Sequence, residues 1–396
     1  MIPRTLQPYL QDLASRYPIV TVTGPRQSGK TTLCRMAFPE KPYTNLEAPD
    51  IRQFAASDPR AFLAQYPDGA ILDEIQRAPE LLSYLQVLVD GESRSGLFIL
   101  TGSQQFEVMS TISQSLAGRT ALLKLLPFSL SELAILGSVP PIDRLLVSGF
   151  YPRIHDKGLN PTQALGDYLE TYVERDLRQL VNIKDLGGFE KFLRLCAGRC
   201  GQLLNLHDLG SEAGISHTTA RAWITLLEAS YIIYQLRPWY GNVSKRLVKT
   251  PKLYFYDVGL ASYLLGIEHE GHIARHPLRG ALFENLVVME ALKYRFHRGK
   301  RSNCNFYRDA KGHEVDLVLA DGQELIPIEI KGGTTVNNDF FKGLRYFAGE
   351  FPSARPGLLV YSGDACQQRS EATICPPTEL ERLLNDWCTR GLSGIS

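Results

Sequence analysis

Two sets of side chains in this chain have the types and spacing to do chemistry on phosphates. Residues Gly24 to Thr31 read GPRQSGKT, the pattern G-x-x-x-x-G-K-[ST] of a phosphate-wrapping loop. Gly24 and Gly29 let the backbone turn its N–H groups inward, and Lys30 can reach the β- and γ-phosphates of a nucleoside triphosphate. The Thr31 hydroxyl can hold Mg2+. Gln27, Ser28 and Thr32 belong to the same segment. Further on, GAILDEIQ (Gly69 to Gln76) ends an apolar run in two adjacent carboxylates. Asp73 is placed to hold Mg2+ through water, and Glu74 to polarise the water that attacks the γ-phosphate. A third apolar run, Gly96 to Leu100, leads into Thr101-Gly102-Ser103-Gln104, where Ser103 or Gln104 could sense the γ-phosphate. The second set is Glu284, Asp316, Glu329 and Lys331. Asp316, Glu329 and the Ile330 carbonyl are hard oxygen ligands suited to Mg2+ or Mn2+, and Lys331 can orient or deprotonate a water.

These side chains need elements to position them. Ile19 to Thr23 (IVTVT) has the β-branched content of a buried strand, and Thr32 to Ala37 continues as helix, so the loop lies between strand and helix. Leu165 to Leu180 carries apolar residues at 165, 169, 173, 177 and 180, a one-sided helical stripe. Leu204 to Ser230 divides at Gly214-Ile215 into two short helices, with Ser216 as N-cap of the second. Two β segments follow, YIIYQLRPWYG and LVKTPKLYFYD, around a basic tip, GNVSKR. This is the layout of a winged helix-turn-helix. It turns His217, Thr218, Thr219 and Arg221 toward bases or phosphates, and Lys245, Arg246 and Lys249 toward phosphates. The alternative is a winged helix that binds protein. Phe306–Arg308, Glu314–Leu319 and Leu325–Lys331 read as three strands, with Asp316 on one face and Glu329 and Lys331 sharing a face of the next strand.

The order GPRQSGKT, AILDEIQ, FILTGSQ, SLAGRT, LLPFSLSEL resembles the AAA-plus ATPases over about the first 145 residues. More narrowly, the chain is similar to a prokaryotic group whose ATPase is followed by a winged helix and a restriction-endonuclease-like C-terminus. KTPKLYFYDVGL also recurs in that group. The resemblance implies an α/β protein with an AAA-plus P-loop core at 1–145, a helical lid or connector at 146–200, a winged helix at 201–272 and a PD-(D/E)XK nuclease-like α/β domain at 273–396. It makes Arg119, in Leu116-Ala117-Gly118-Arg119, an arginine finger for a neighbouring subunit; the alternative is an Arg salt-bridged on its own surface. Arg153 and Arg175 stand in for the second sensor arginine, which is not identifiable. Asp316, Glu329 and Lys331 spell the D…E-x-K signature, and Glu284 matches the acidic residue of the first helix. One departure is the helix after Lys331, VNNDFFKGLRYFAGEF, which lacks the Gln and Tyr pair of the RecB-like branch and leaves Lys342 and Arg345 as substitutes. The implied cofactors are ATP and Mg2+, with Mn2+ as the alternative at the nuclease site. The implied partners are DNA and further copies of the chain in a ring. The expected activity is ATP hydrolysis coupled to processing or remodelling of DNA, branched DNA included. The leading alternative is a signalling or regulatory ATPase whose nuclease-like domain is an inactive DNA clamp or partner-binding module; a third is a transcription regulator.

Composition bounds these readings. The 396 residues, 44% hydrophobic and 21% charged, suit two or three ordered domains. The expected location is the cytoplasm, since no apolar stretch is long enough to span a bilayer and MIPRTLQPYLQDLASRY lacks a secretory apolar core. Cys34, Cys196, Cys200, Cys304, Cys366, Cys375 and Cys388 form no C-x-x-C pair and read as reduced thiols, mostly core. A net charge of +1 leaves nucleic-acid contact to local patches. Two runs lack Asp and Glu: Ala229 to Tyr256, with Arg237, Lys245, Arg246, Lys249 and Lys252, and Ala291 to Arg308, with Lys293, Arg295, Arg298, Lys300, Arg301 and Arg308.

Overall fold

The computed structural model describes residues 2–103, 116–174, 185–239, 248–322 and 324–390. They form two compact units: 1–128 with 229–231 and 295–301, and 129–228 with 232–294 and 302–396. Residues 129–145, expected with the ATPase core, fall in the second unit. There the helix Leu130–Ala134 is closed by a Ser129–Glu132 capping box, and its Leu130 N–H donates to Glu290 at 2.9 Å.

The first unit is a five-stranded parallel sheet. Its elements run α1 (Gln7–Ala14), β1 (Ile19–Thr23), α2 (Lys30–Ala37), β2 (Tyr43–Asn45), α3 (Pro49–Ser57), α4 (Pro59–Ala64), β3 (Ala70–Asp73), α5 (Leu81–Asp90), β4 (Phe98–Gly102) and β5 (Thr120–Lys124). The strands lie in the order β2–β3–β4–β1–β5. Alternation sorts each strand between two cores. Val20, Val22, Ile71 and Ile99 pack with Leu10, Leu33 and Cys34, while Ile19, Leu72, Phe98 and Leu100 pack with Phe62, Leu81 and Leu85. Both faces are therefore dry, as a parallel sheet requires. Register places Thr23 beside Gly102 and Leu72 beside Leu100, so β1, β3 and β4 end together. That edge is where an open α/β sheet binds its ligand.

The second unit begins with helices. One of them, α6 (Pro161–Tyr168), covers the start of the expected 165–180 helix; it passes into a π-helical stretch at Leu169–Glu174, and 175–184 lie outside the described residues. Next come α7 (Leu186–Gly198), α8 (Leu206–Ala213) and α9 (His217–Ala229). Asn205 caps α8, which ends at Gly214 with φ +78°, and Ser216 Oγ accepts from Thr219 N–H at 3.1 Å to open α9. α9 buries Ala220, Trp223, Ile224 and Leu227, with Trp223 edge-on to Phe189 and Phe192 of α7. An antiparallel ribbon follows, β6 (Ile233–Leu236) and β7 (Lys252–Phe255). The long α10 (Arg279–Phe296) leads to β8 (Cys304–Arg308), β9 (Glu314–Asp321), β10 (Glu324–Lys331), α11 (Lys342–Glu350), β11 (Gly357–Tyr361), β12 (Gln367–Gln368) and β13 (Ala372–Cys375). These strands form one sheet in the order β12–β13–β11–β10–β9–β8, with β9 antiparallel to both β8 and β10, and β10, β11 and β13 parallel. Leu344 and Phe347 of α11 pack onto it.

Five cysteines are buried thiols and Cys366 is an exposed one, while the Cys388 side chain is outside the described residues. No helix among the described residues is long and apolar enough to cross a membrane.

Candidate nucleotide site and acidic centre

The phosphate loop joins β1 to α2 and turns through positive φ at Gly24 (+151°), Gln27 (+59°) and Gly29 (+91°). A Cβ at Gly24 would run into the Leu125 carbonyl, so no other residue fits there. Arg4 secures the loop from outside, donating to Ser28 O and Leu126 O, both at 2.7 Å. Lys30 is 5% exposed and donates to Gly24 O at 3.0 Å and Pro25 O at 2.8 Å. Burial lowers its pKa, and Glu74 and Asp73 only partly oppose this. The fully buried Ser28 hydroxyl has no partner. A lysine turned onto carbonyls and an orphaned hydroxyl are groups that phosphate oxygens would satisfy, so these residues fit a triphosphate.

Asp73, 4% exposed, gathers three hydroxyls: Thr31 at 3.0 Å, Tyr43 at 2.8 Å, and Thr101. Thr31 and Asp73 are thus already side by side, as shared Mg2+ ligation demands. Glu74 has a left-handed backbone, φ +58°, and its carboxylate accepts from Gln76 and, at 3.2 Å, from the Ser103 hydroxyl. Ser103 is therefore at the edge with Glu74, and Gln104 lies outside the described residues. Arg119 pairs with Asp90 within this chain, at 2.5 and 2.9 Å, and donates to Ala117 O at 3.0 Å. Arg153 is exposed, and Arg175 lies outside the described residues.

In the second unit the β9–β10 register pairs Ile328 with Leu317, which sets Glu329 opposite Asp316 and Lys331 opposite Glu314 on one face. Lys331 Nζ bridges Asp316 (3.0 Å) and Glu329 (3.1 Å), and Asp316 also accepts from Ile330 N–H at 2.8 Å. Glu284 joins from α10, held by Tyr254 at 2.5 Å and Lys252 at 2.9 Å, both from β7. Lys252 also pairs with Glu314 at 2.6 Å, and Arg308 takes the other Glu314 oxygen at 3.0 Å. Burial and the Asp316 charge push Glu329 up to about 8. Burial pulls Lys252 and Lys331 down, but the surrounding carboxylates outweigh it and carry both above the ordinary lysine value. Lys342 and Arg345 pair on the surface with Asp339 and Glu371.

On the face of α9, His217, Thr218 and Arg221 are exposed and Thr219 is half-buried against Ser216; Lys249 is exposed, and Lys245 and Arg246 lie outside the described residues. The basic runs need correction. Lys252 belongs to the acidic centre, and Lys293, 1% exposed, pairs with Glu290 at 2.8 Å and sits 3.7 Å from the Phe150 ring. Both belong to runs expected to offer patches for nucleic-acid contact.

Residues 16–134 match the family model of an AAA domain, and 140–271 and 279–380 match two domains of unknown function, DUF8612 and DUF4143. The uncharacterized proteins Rv2008c of Mycobacterium tuberculosis and Mb2031c of Mycobacterium bovis are each 32% identical over 367 residues, covering 92% of this chain and 81% of theirs. The chain belongs to the family of these two proteins. Among solved structures, a Walker-type ATPase of Pyrococcus abyssi is 15% identical with a TM-score of 0.45, covering 65% of this chain and 94% of that one. AMPPCP-bound DnaA from Aquifex aeolicus is 16% identical with a TM-score of 0.29, covering 56% and 85%. In this member of the family the first unit is an AAA-type ATPase domain, an assignment that rests on the family match and the loop geometry.

Sequence reasoning missed Arg4, Tyr43, Gln76, Lys252, Tyr254 and Glu314 at these sites. Glu314 alone had a signal: two residues before Asp316 on a strand, it had to share that face.

Proposed function

We propose that this ATPase binds DNA and carries a metal-dependent nuclease-like centre, with which it processes or remodels DNA. The observation that carries the reading is the convergence of Asp316, Glu329 and Lys331 on one face of β9–β10, in a chain that also holds a phosphate loop. Thr31 and Asp73 would hold Mg2+ with the nucleotide, Lys30 would bind its phosphates, and Glu74 would orient the attacking water, released from Gln76 and Ser103. Asp316 and Glu329 would hold a divalent ion, whose chemistry is to polarise a phosphodiester, while Lys331 orients water. α8, α9 and the β6–β7 ribbon act as a winged helix that meets DNA through Arg221, Arg237 and Lys249, all exposed. Arg119 exchanges Asp90 for the γ-phosphate of a neighbouring subunit in a homo-oligomeric ring. A second reading, an inactive DNA clamp, is favoured by one observation: Lys252 already neutralises part of the acidic centre.

Linear and branched DNA incubated with the protein and Mg2+ or Mn2+, with and without ATP, separates these readings. Cutting that disappears in Asp316→Ala and Lys331→Ala, with ATP hydrolysis retained, is the expected result. Salt-sensitive DNA binding without cutting leaves the clamp. The absence of DNA binding removes both and leaves a signalling ATPase.

A further inference from the structure

The acidic centre contains a cation that comes from outside its own sheet. Lys252 belongs to β7 of the two-stranded ribbon, yet its side chain is 3% exposed and its Nζ lies 2.6 Å from Glu314, 2.9 Å from Glu284 and 3.9 Å from Asp316. Tyr254, two residues along the same strand, donates to Glu284 at 2.5 Å. β7 therefore supplies both the ammonium and the hydroxyl that hold the Glu284 carboxylate. An ammonium has three N–H groups, and here three carboxylates surround it.

The rest of the centre is different. Lys331 bridges one oxygen of Asp316 and one of Glu329, and the second Glu329 oxygen, in a residue 6% exposed, has no partner. Gly343 of α11 faces that carboxylate, and a Cβ there would come within 3.0 Å of both oxygens. The Asp316–Glu329 half thus offers hard oxygens, one of them unsatisfied, and fits a single divalent ion. No three His, Cys, Asp or Glu side chains among the described residues are grouped as a ready cation site.

We propose that Lys252 is the built-in cation of this centre: its ammonium takes the place a second divalent ion would occupy among Glu284, Glu314 and Asp316, so the centre accepts one ion and not two. The inference rests on the metal-dependent reading of Asp316 and Glu329, but concerns the other half of the cluster. A divalent ion brought among these carboxylates would meet the ammonium at contact distance, where like charges repel strongly because little water screens them. It could enter only by displacing a side chain that is itself enclosed.

Calorimetric titration with Ca2+ tests this on the full chain without nucleotide, in an Asp73→Asn background that removes the cation ligand of the first unit. The parent should bind one ion, lost in Asp316→Asn. Lys252→Met should bind about one more, because the freed carboxylates are oxygen ligands that a divalent ion can bridge. Lys252→Arg should keep the parent count. If Lys252→Met unfolds in chelator, Ca2+ should restore its melting transition; failure to do so overturns the proposal. The double variant Lys252→Met with Glu314→Gln, which removes one charge of each sign, should fold and gain no ion. A folded Lys252→Met with the parent's ion count also overturns the proposal and leaves the metal reading intact. No ion in the parent but one in Lys252→Met sustains the role of Lys252 and removes the metal reading of Asp316 and Glu329. No ion in either removes both.

Discussion

Lys30 and Lys252 are the same residue type, both almost fully buried and both close to carboxylates, and their surroundings push them in opposite directions. Burial lowers Lys30, and among the described residues its hydrogen bonds go only to the Gly24 and Pro25 carbonyls. Lys252 is raised despite its burial, because Glu284, Asp316 and Glu314 outweigh the desolvation. A buried cation whose partners are neutral is costly until an anion arrives, so the loop is built for a ligand it must import. A buried cation ringed by carboxylates is already matched and acts as part of the scaffold.

The sharpest test of the contrast is functional. Lys30→Ala should abolish nucleotide binding, since the ammonium serves ground-state phosphates. Glu74→Gln should bind ATP as the parent does but hydrolyse it on the order of 10²–10⁴ times more slowly, the usual worth of a positioned base. The two are read by equilibrium binding of a fluorescent ATP analogue and by phosphate release. Parent-rate hydrolysis by Glu74→Gln would remove the catalytic assignment. Neither Lys252→Met nor Lys331→Ala should move these quantities.

Stability should respond with opposite signs. Lys252→Met leaves Glu284, Glu314 and Asp316, partly or fully buried, without their enclosed cation and should cost about 3–5 kcal/mol. Lys30→Met removes a buried charge matched by no ion pair among the described residues, so stability without nucleotide should be unchanged or raised. Urea unfolding of the two variants, without nucleotide or divalent cations, checks both. Equal losses would mean that the two lysines are held in the same way.

What could be read in advance follows how local each site is in sequence. The phosphate loop is eight consecutive residues that match one pattern, and Asp73 and Glu74 end a strand side by side, so the placement of both was legible. The acidic centre was legible only where two adjacent strands carry it. Lys252 reaches Glu284 across 32 positions from a ribbon whose cations read as a solvated wing. A run of lysines and arginines does not say which of them folds inward; Lys293, against Glu290 and Phe150, is the same error. Arg4 gave no signal, because a lone arginine near a chain start has no pattern to match. The helix expected over 165–180 was set by its apolar stripe, which does not separate α from the π-helical turn that begins at Leu169.

The smallest effect is a pH dependence of nucleotide affinity, and its sign follows from Lys30. Without ligand its pKa lies below 10.5, lowered by burial more than Glu74 and Asp73 restore. Bound phosphates favour the ammonium and raise that pKa, so between the two values binding takes up a proton. Affinity is then fully present below the free-state pKa and falls as pH rises through it, by at most about tenfold per pH unit for one proton. Measured between about pH 7 and 10, the parent should weaken on the alkaline side. Lys30→Arg, weaker from the outset, should stay flat, because its guanidinium remains charged across the window. An equal alkaline decline in both would assign the titration to another group, and a flat parent would mean that burial does not bring Lys30 into this range.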